Sequence, residues 1–176
     1  MLDHIRAAGE QIVPLDYDEV TSEDLTAYLG VTNKDVKGNR YMLVKGVANA
    51  LVGSVVTIDS AGVTALLTAA IADNEPLKGV LCAAADAATK YCWALLEYEA
   101  DAAAKFGPQV DGASDSGAST GANVILYTGA TAGRLRSGAT VAGQRPVRDI
   151  VLDTAFTAAA GQTKTASWHF GIRTTT

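Results

Sequence analysis

Apolar and polar positions alternate through most of the chain after residue 40, and the alternation predicts strands. Tyr41 to Val47 opens the series, and β-branched Ser54 to Ile58 follows between Gly53 and the Asp59-Ser60 pair. Leu77 to Ala83 comes after Pro76. Tyr91 to Ala100 carries Trp93, Leu95 and Tyr98, residue types that suit a pleated surface. Asn123 to Tyr127 makes a fifth strand. Val147 to Thr154 and Thr165 to Ile172 form an expected C-terminal pair joined by a loop at 158–162. The alanines around Val63 to Ala72 and Ala100 to Lys105 leave helix open in those places.

Residues 1–38 read differently. They lack strand alternation and are expected to form an N-terminal arm with one short helix over Ser22 to Leu29. Thr21 stands where a cap is needed, Asp24 three residues on, and Gly30 where a helix would stop. Leu25 and Leu29 share a face, with Tyr28 beside them. Residues 39–176 then form a β-rich domain, expected as a small β-barrel or β-roll. Within it, residues 107–121 (GPQVDGASDSGASTG) have the composition of a flexible surface loop. A weak internal repeat relates Gly53 to Leu67 with Ala122 to Leu135. Each is a β-branched strand, a turn of small residues, then a Leu, and two such hairpins could pack around one core.

Composition sharpens this picture. The chain has 176 residues and 32 alanines, with only 6% aromatic residues and 17 glycines. A core of small side chains is thin per residue, which points toward stabilisation by assembly. No apolar run reaches 18 residues, so no transmembrane helix is expected, and the first residues lack the basic head and apolar run of a signal peptide. A pI near 4.9 argues against nucleic acid as a partner. The net charge of -5 is uneven: residues 1–40 carry -4, residues 41–133 carry -5, and residues 134–176 carry +4. The acidic front and the basic rear can attract each other within a chain or between copies.

Candidate chemistry is sparse. Gly117-Ala-Ser119-Thr-Gly121 fits G-x-S-x-G, but no apolar strand leads in and no helix follows, so catalysis at Ser119 is not expected. His4 and His169 have no partner at metal-ligand spacing, and no phosphate-binding glycine loop occurs. Glu97 and Glu99 read as an exposed acidic stripe. Cys82 and Cys92 flank a turn centred near Ala87; symmetric pairing about that residue would bring the thiols face to face, while buried, reduced thiols are the main expectation. No catalytic residue, cofactor or metal is expected.

Four stretches resemble the capsid decoration, or cement, proteins of tailed bacteriophages. They are RYMLVKGVANALVG, GVLCAAADAATKYCWALLEYEA, ANVILYTGATAGRL, and the closing strands around AAAGQT, together spanning about three quarters of the chain. The resemblance implies a β-rich domain, commonly a homotrimer, on the outer surface of a virion shell, made in the host cytoplasm. Its partner would be the major capsid protein, with no membrane or nucleic-acid role. Other virion parts (tail, fibre or head completion) and a carbohydrate-binding module are the alternatives. The arm is expected to clamp a neighbour, with Leu25, Tyr28 and Leu29 as apolar anchor and its acids meeting Arg134, Arg136, Arg145 or Arg148, or the capsid protein.

Overall fold

The computed structural model describes residues 13, 15–36, 38–72, 77–97, 109–111, 119–120, 125–136, 143, 145–152, 156–157, 163–165 and 168–170. The chain is mainly β. Its first sheet has seven antiparallel strands: β1 (Val20–Thr21), β2 (Thr32–Lys34), β3 (Arg40–Lys45), β4 (Val55–Ile58), β5 (Thr64–Leu66), β6 (Leu77–Leu81) and β7 (Tyr91–Glu97). The order is β2-β3-β7-β6-β4-β5, and β1 pairs with β7 as well.

The register of this sheet separates two cores. Leu43 pairs Trp93, Val80 pairs Leu95 and Val55 pairs Val80, and all face one side. Val44 pairs Cys92, Leu81 pairs Ala94 and Val56 pairs Leu66 on the other. The first face joins Val13, Leu15, Leu25, Leu126, Leu135 and Val147 in one buried cluster, while the second gathers Val44, Ala50, Val56, Ile58, Leu81, Ala83 and Ala94. A sheet covered on both faces needs near-continuous apolar strands, and β4 (VVTI) and β7 (YCWALLE) have that pattern. The alanines crowd the second face, where the sheet curls upon itself.

Closure into a barrel does not follow. Among the described residues, the end of β3 meets the residue just before β5 at one parallel bridge, Lys45 with Val63, rather than along a ladder. Lys45 N–H donates to Gly62 O at 2.9 Å, and the Thr64 hydroxyl donates to Lys45 O at 2.6 Å. The result is a curled sheet with a short seam.

A second sheet is built on β10 (Ile125–Thr128), which pairs antiparallel with β11 (Leu135–Arg136) and β12 (Pro146–Leu152). It is extended by β8 (Gln109–Asp111), parallel to β11, by β14 (Thr163–Thr165) on β8, and by β15 (Trp168–Phe170) on β12. A separate pair joins β9 (Ser119–Thr120) and β13 (Phe156–Thr157). The C-terminal strands β12 and β15 do pair, but not as a simple hairpin, since β13 and β14 lie between them in sequence and pair elsewhere. The 107–121 stretch is not wholly loop, because it contains β8 and β9.

Both members of the expected internal repeat contain hairpin strands. Gly53 to Leu67 contains the β4–β5 hairpin and Ala122 to Leu135 contains β10 and the start of β11. The two units meet in a ring of three backbone hydrogen bonds. Leu67 N–H donates to Val55 O (3.0 Å), Gly133 N–H to Leu67 O (2.9 Å) and Val55 N–H to Gly133 O (2.7 Å). Gly133 sits there at φ +78°, and a Cβ at this position would lie 2.8 Å from Leu66 Cδ2.

The expected arm helix shrinks to one 3-10 turn, Thr26–Tyr28. Thr21 Oγ1 does accept a backbone N–H, but from Glu23 at 3.1 Å, and Asp24 Oδ1 takes the N–H of Thr26 at 2.9 Å. These local bonds satisfy the backbone without propagating a helix. Leu29 is already extended (ψ 136°), and Gly30 takes φ +80° where a stop was expected. Of the stretches left open to helix, 63–72 gives β5 and one helical turn, Ala69–Ala72, while 100–105 lies outside the described residues.

Candidate functional site

The arm is fastened to the sheet by side chains of three kinds. Trp93, 1% exposed, donates its indole N–H to Leu15 O at 2.9 Å. Tyr17 stacks on Tyr41 with ring centroids 4.0 Å apart and meets the edge of Trp93 at 5.3 Å. Beyond Tyr17, β1 pairs Val20 with Cys92 and Thr21 with Tyr91. This edge of β7 is vacant because β6 turns away after Cys82, whose N–H bonds Trp93 O at 2.9 Å.

Farther along the arm, the Tyr91 hydroxyl lies 3.1 Å from Asp24 Oδ1 and 2.9 Å from Thr26 Oγ1. The Thr26 hydroxyl and amide, with the Tyr91 hydroxyl, hold the Asp24 carboxyl below its ordinary range. Leu25 is buried in the core cluster, and Tyr28 and Leu29 pack half-buried against it. These three expected anchors lie against the chain's own first sheet.

Arg136 lies on β11 of the second sheet and Arg134 in the turn just before it, both half-buried; Arg145 is exposed just before β12. Arg136 pairs across β10 with Tyr127, which also pairs Pro146, so these basic positions flank one strand. Arg148 lies on β12, and its side chain falls outside the described residues. Its clamp role, like that of residues 1–12, has no described contact to bear on it.

The β2–β3 turn is held by one carboxylate. Asp35 accepts from Asn39 N–H (3.0 Å), Asn39 Nδ2 (2.7 Å) and the Tyr41 hydroxyl (3.1 Å). Burial, and then the Asp35 charge, push the Tyr41 phenol upward.

The cysteines do not face each other. The β6–β7 register sets Leu81 against Ala94, which brings Cys82 opposite Trp93 rather than Cys92. One residue of register reverses the face, so Cys82 joins the first core and Cys92 the second. Both are buried and neither is in a disulfide, and burial pushes the Cys92 thiol up to about 12.

The other candidates disperse. Glu97 is exposed and paired to Arg40 at 3.1 Å; Glu99 and His4 lie outside the described residues. His169 sits on β15 opposite Val151. Ser119 lies on β9 opposite Thr157, and the next described element is the strand β10, so the strand-turn-helix of a nucleophile elbow is not what surrounds it. Trp93, buried as it is, offers no face to a sugar.

What the sequence pattern did not single out is an uncharged end of the molecule. Three turns meet there: 47–54, 82–89 and 129–133. Val47 N–H bonds Ala85 O, Gly53 N–H bonds Leu81 O, and Val55 N–H bonds Gly133 O. Leu51 and Val52 are 45% and 46% exposed, beside exposed Ala48, Ala88, Ala130 and Ala132. The one charge in these turns is Asp86, paired with Lys90 at 2.7 Å. Charge is thin there and aliphatic groups are exposed. A scan for clustered Val, Leu and Ala in loops would have found its turns. The chain matches no family model, no curated protein and no solved structure.

Proposed function

We propose that this chain is a capsid decoration protein: a structural component that beds on the outer face of a tailed-phage shell and ties neighbouring capsomers together. The observation that carries the reading is the uncharged end built by residues 47–54, 82–89 and 129–133. Contact surfaces of this kind work by burying area, with little need for a cleft. Repetition over a shell multiplies a modest contact into large avidity.

The stretches that resemble decoration proteins support the same reading by their placement. RYMLVKGVANALVG supplies β3 and the first turn of the uncharged end. GVLCAAADAATKYCWALLEYEA supplies the β6–β7 pair and the second turn, and ANVILYTGATAGRL supplies β10 and the third. In that reading the curled sheet with its one-bridge seam is taken as the roll, and assembly as a homotrimer with the major capsid protein as partner is added. No catalytic step is assigned.

The test is localisation on virions. Mass spectrometry of purified particles should find the chain in many copies, and image reconstruction should show it outside the shell with residues 51 and 52 against the capsid protein. Density confined to the tail would favour the other virion role, and absence from particles would overturn both.

A further inference from the structure

The described contacts of the N-terminal part of the chain change at Gly30, which one backbone bond, Val31 N–H to Tyr28 O at 3.0 Å, spans. Before it, Leu15, Tyr17, Val20, Thr21, Asp24, Leu25 and Thr26 all engage the first sheet. After it, Gly30 N–H bonds Leu43 O and Leu43 N–H bonds Val31 O, which begins the β2–β3 hairpin. Gly30 itself stands at φ +80° with open space where a Cβ would be.

Residues 13–29 have no fold of their own. The described hydrogen bonds within them reach three residues or fewer: Leu15 to Val13, Glu19 to Asp16, Tyr28 to Leu25, Leu29 to Thr26. Their conformation is therefore dictated by the surface they lie on. That surface is a strand edge left vacant by β6, next to an indole N–H that points at a backbone carbonyl. Every copy of the chain carries the same edge and the same indole.

We propose that residues 13–29 are an exchangeable strap: hinged at Gly30, they close on the β7 edge of their own sheet or on that of a second copy. The occupant is fixed by identity of sequence, since a neighbour's strap makes the same Leu15–Trp93 bond, Tyr17 stack and Val20–Cys92 pairing. Exchange of this kind joins copies without any new contact surface. The inference concerns self-association alone and is tested with no shell present, so its failure is distinct from failure of the capsid reading.

Val20 offers a direct probe, because it is the register partner of the native Cys92. Directly opposed antiparallel residues have Cα atoms about 4.5–5.5 Å apart, within the range of about 4.4–6.8 Å that a disulfide spans. Cys82 faces the other core and does not compete. Full-length Val20→Cys protein, half of it carrying a mass tag, is mixed and then oxidised by air with copper phenanthroline. Peptide mapping counts only the linkage between positions 20 and 92, and the Val20→Cys, Cys92→Ala protein sets the background.

The proposal expects that linkage both within and between chains. The between-chain share should rise about tenfold per tenfold increase in protein while it stays below the roughly millimolar effective concentration of a tethered segment. Hydrogen exchange of the unaltered protein should show the amides of 15–29 opening together, ahead of β3 and β7. A linkage confined to single chains at every concentration overturns the exchange, and no linkage at all overturns the docking it rests on. Opening of 15–29 only together with the whole sheet overturns the hinge.

Discussion

Trp93 and Leu15, 78 residues apart in sequence, are joined by one buried hydrogen bond of 2.9 Å from the indole N–H to the backbone carbonyl. Both residues are nearly inaccessible to water, so neither group has a solvent alternative. Trp93→Phe keeps a ring in the core but removes the donor. A cost of about 1–3 kcal/mol is expected from the carbonyl that loses this partner. Urea unfolding should report that loss, and a midpoint equal to the parent's would show that the bond contributes nothing.

Asp35 serves three donors at once, two of them on Asn39, which is 6% exposed. Asp35→Ala should lower stability by about 1–3 kcal/mol, and thermal melting is the measurement, at about 2–4 °C per kcal/mol for a chain of this size. Asp35→Asn keeps one carbonyl oxygen as acceptor and should fall between the two. A melting point for Asp35→Ala at or above the parent's would remove the turn from the stabilising set.

Gly133→Ala meets two obstacles: a left-handed backbone at φ +78° and the Leu66 Cδ2 methyl 2.8 Å from the new Cβ. The methyl is the end of a flexible side chain and can give way, so the backbone term dominates, at about 1–2 kcal/mol. Chemical denaturation decides it. An unchanged midpoint would mean that the turn accepts another geometry.

Cys92 links stability to alkaline pH. Its thiol is raised from the usual value near 9 to about 12 by burial, so the folded state keeps a proton that the unfolded chain gives up. The contribution is fully present below pH 9 and falls as pH rises toward 12. Tyr41, also raised by burial, acts in the same direction. Cys92→Ala should therefore flatten the decline between pH 9 and 12 without abolishing it. Equal slopes in the two proteins would show that this thiol is not responsible.

The uncharged end should tolerate charge in isolation and fail in assembly. Leu51 and Val52 are nearly half exposed, so Leu51→Asp with Val52→Asp should leave the unfolding free energy within about 1 kcal/mol of the parent's, as surface changes usually do. Co-sedimentation with shells should fall by at least about tenfold, the equivalent of ~1.4 kcal/mol. Undiminished sedimentation would sink the assignment of this end as the shell contact.

Much of the fold was legible in the sequence. The strands beginning near Tyr41, Val55, Leu77, Tyr91, Ile125 and Val147 follow from β-branched and aromatic runs between turn residues, and the structure has strands at each place. The short strands were not legible. β1 and β2 lie in a polar, acidic stretch and exist because β7 and β3 offer them edges, which is tertiary information. The helix expected over 22–29 yielded for a related reason: Leu25 is drawn into the core, and the Asp24 side chain takes the amide that a helix would have used. The thiols turned on a single residue of register, a quantity that composition does not carry. The Val, Leu and Ala of each turn are legible in the sequence, but that the three turns meet at one end is not, since they are far apart along the chain and are joined by backbone bonds.

The ring of Val55, Leu67 and Gly133 has a consequence for the growing chain. Two of its members are made early, and their three-way closure waits for a residue synthesised sixty-six positions after Leu67. At about 5–20 residues per second that is a pause of about 3–13 s, during which the β4–β5 hairpin stands with one carbonyl and one amide unanswered. The first sheet is therefore not finished as it leaves the ribosome. It is completed from the rear, when the second hairpin arrives and hands it Gly133.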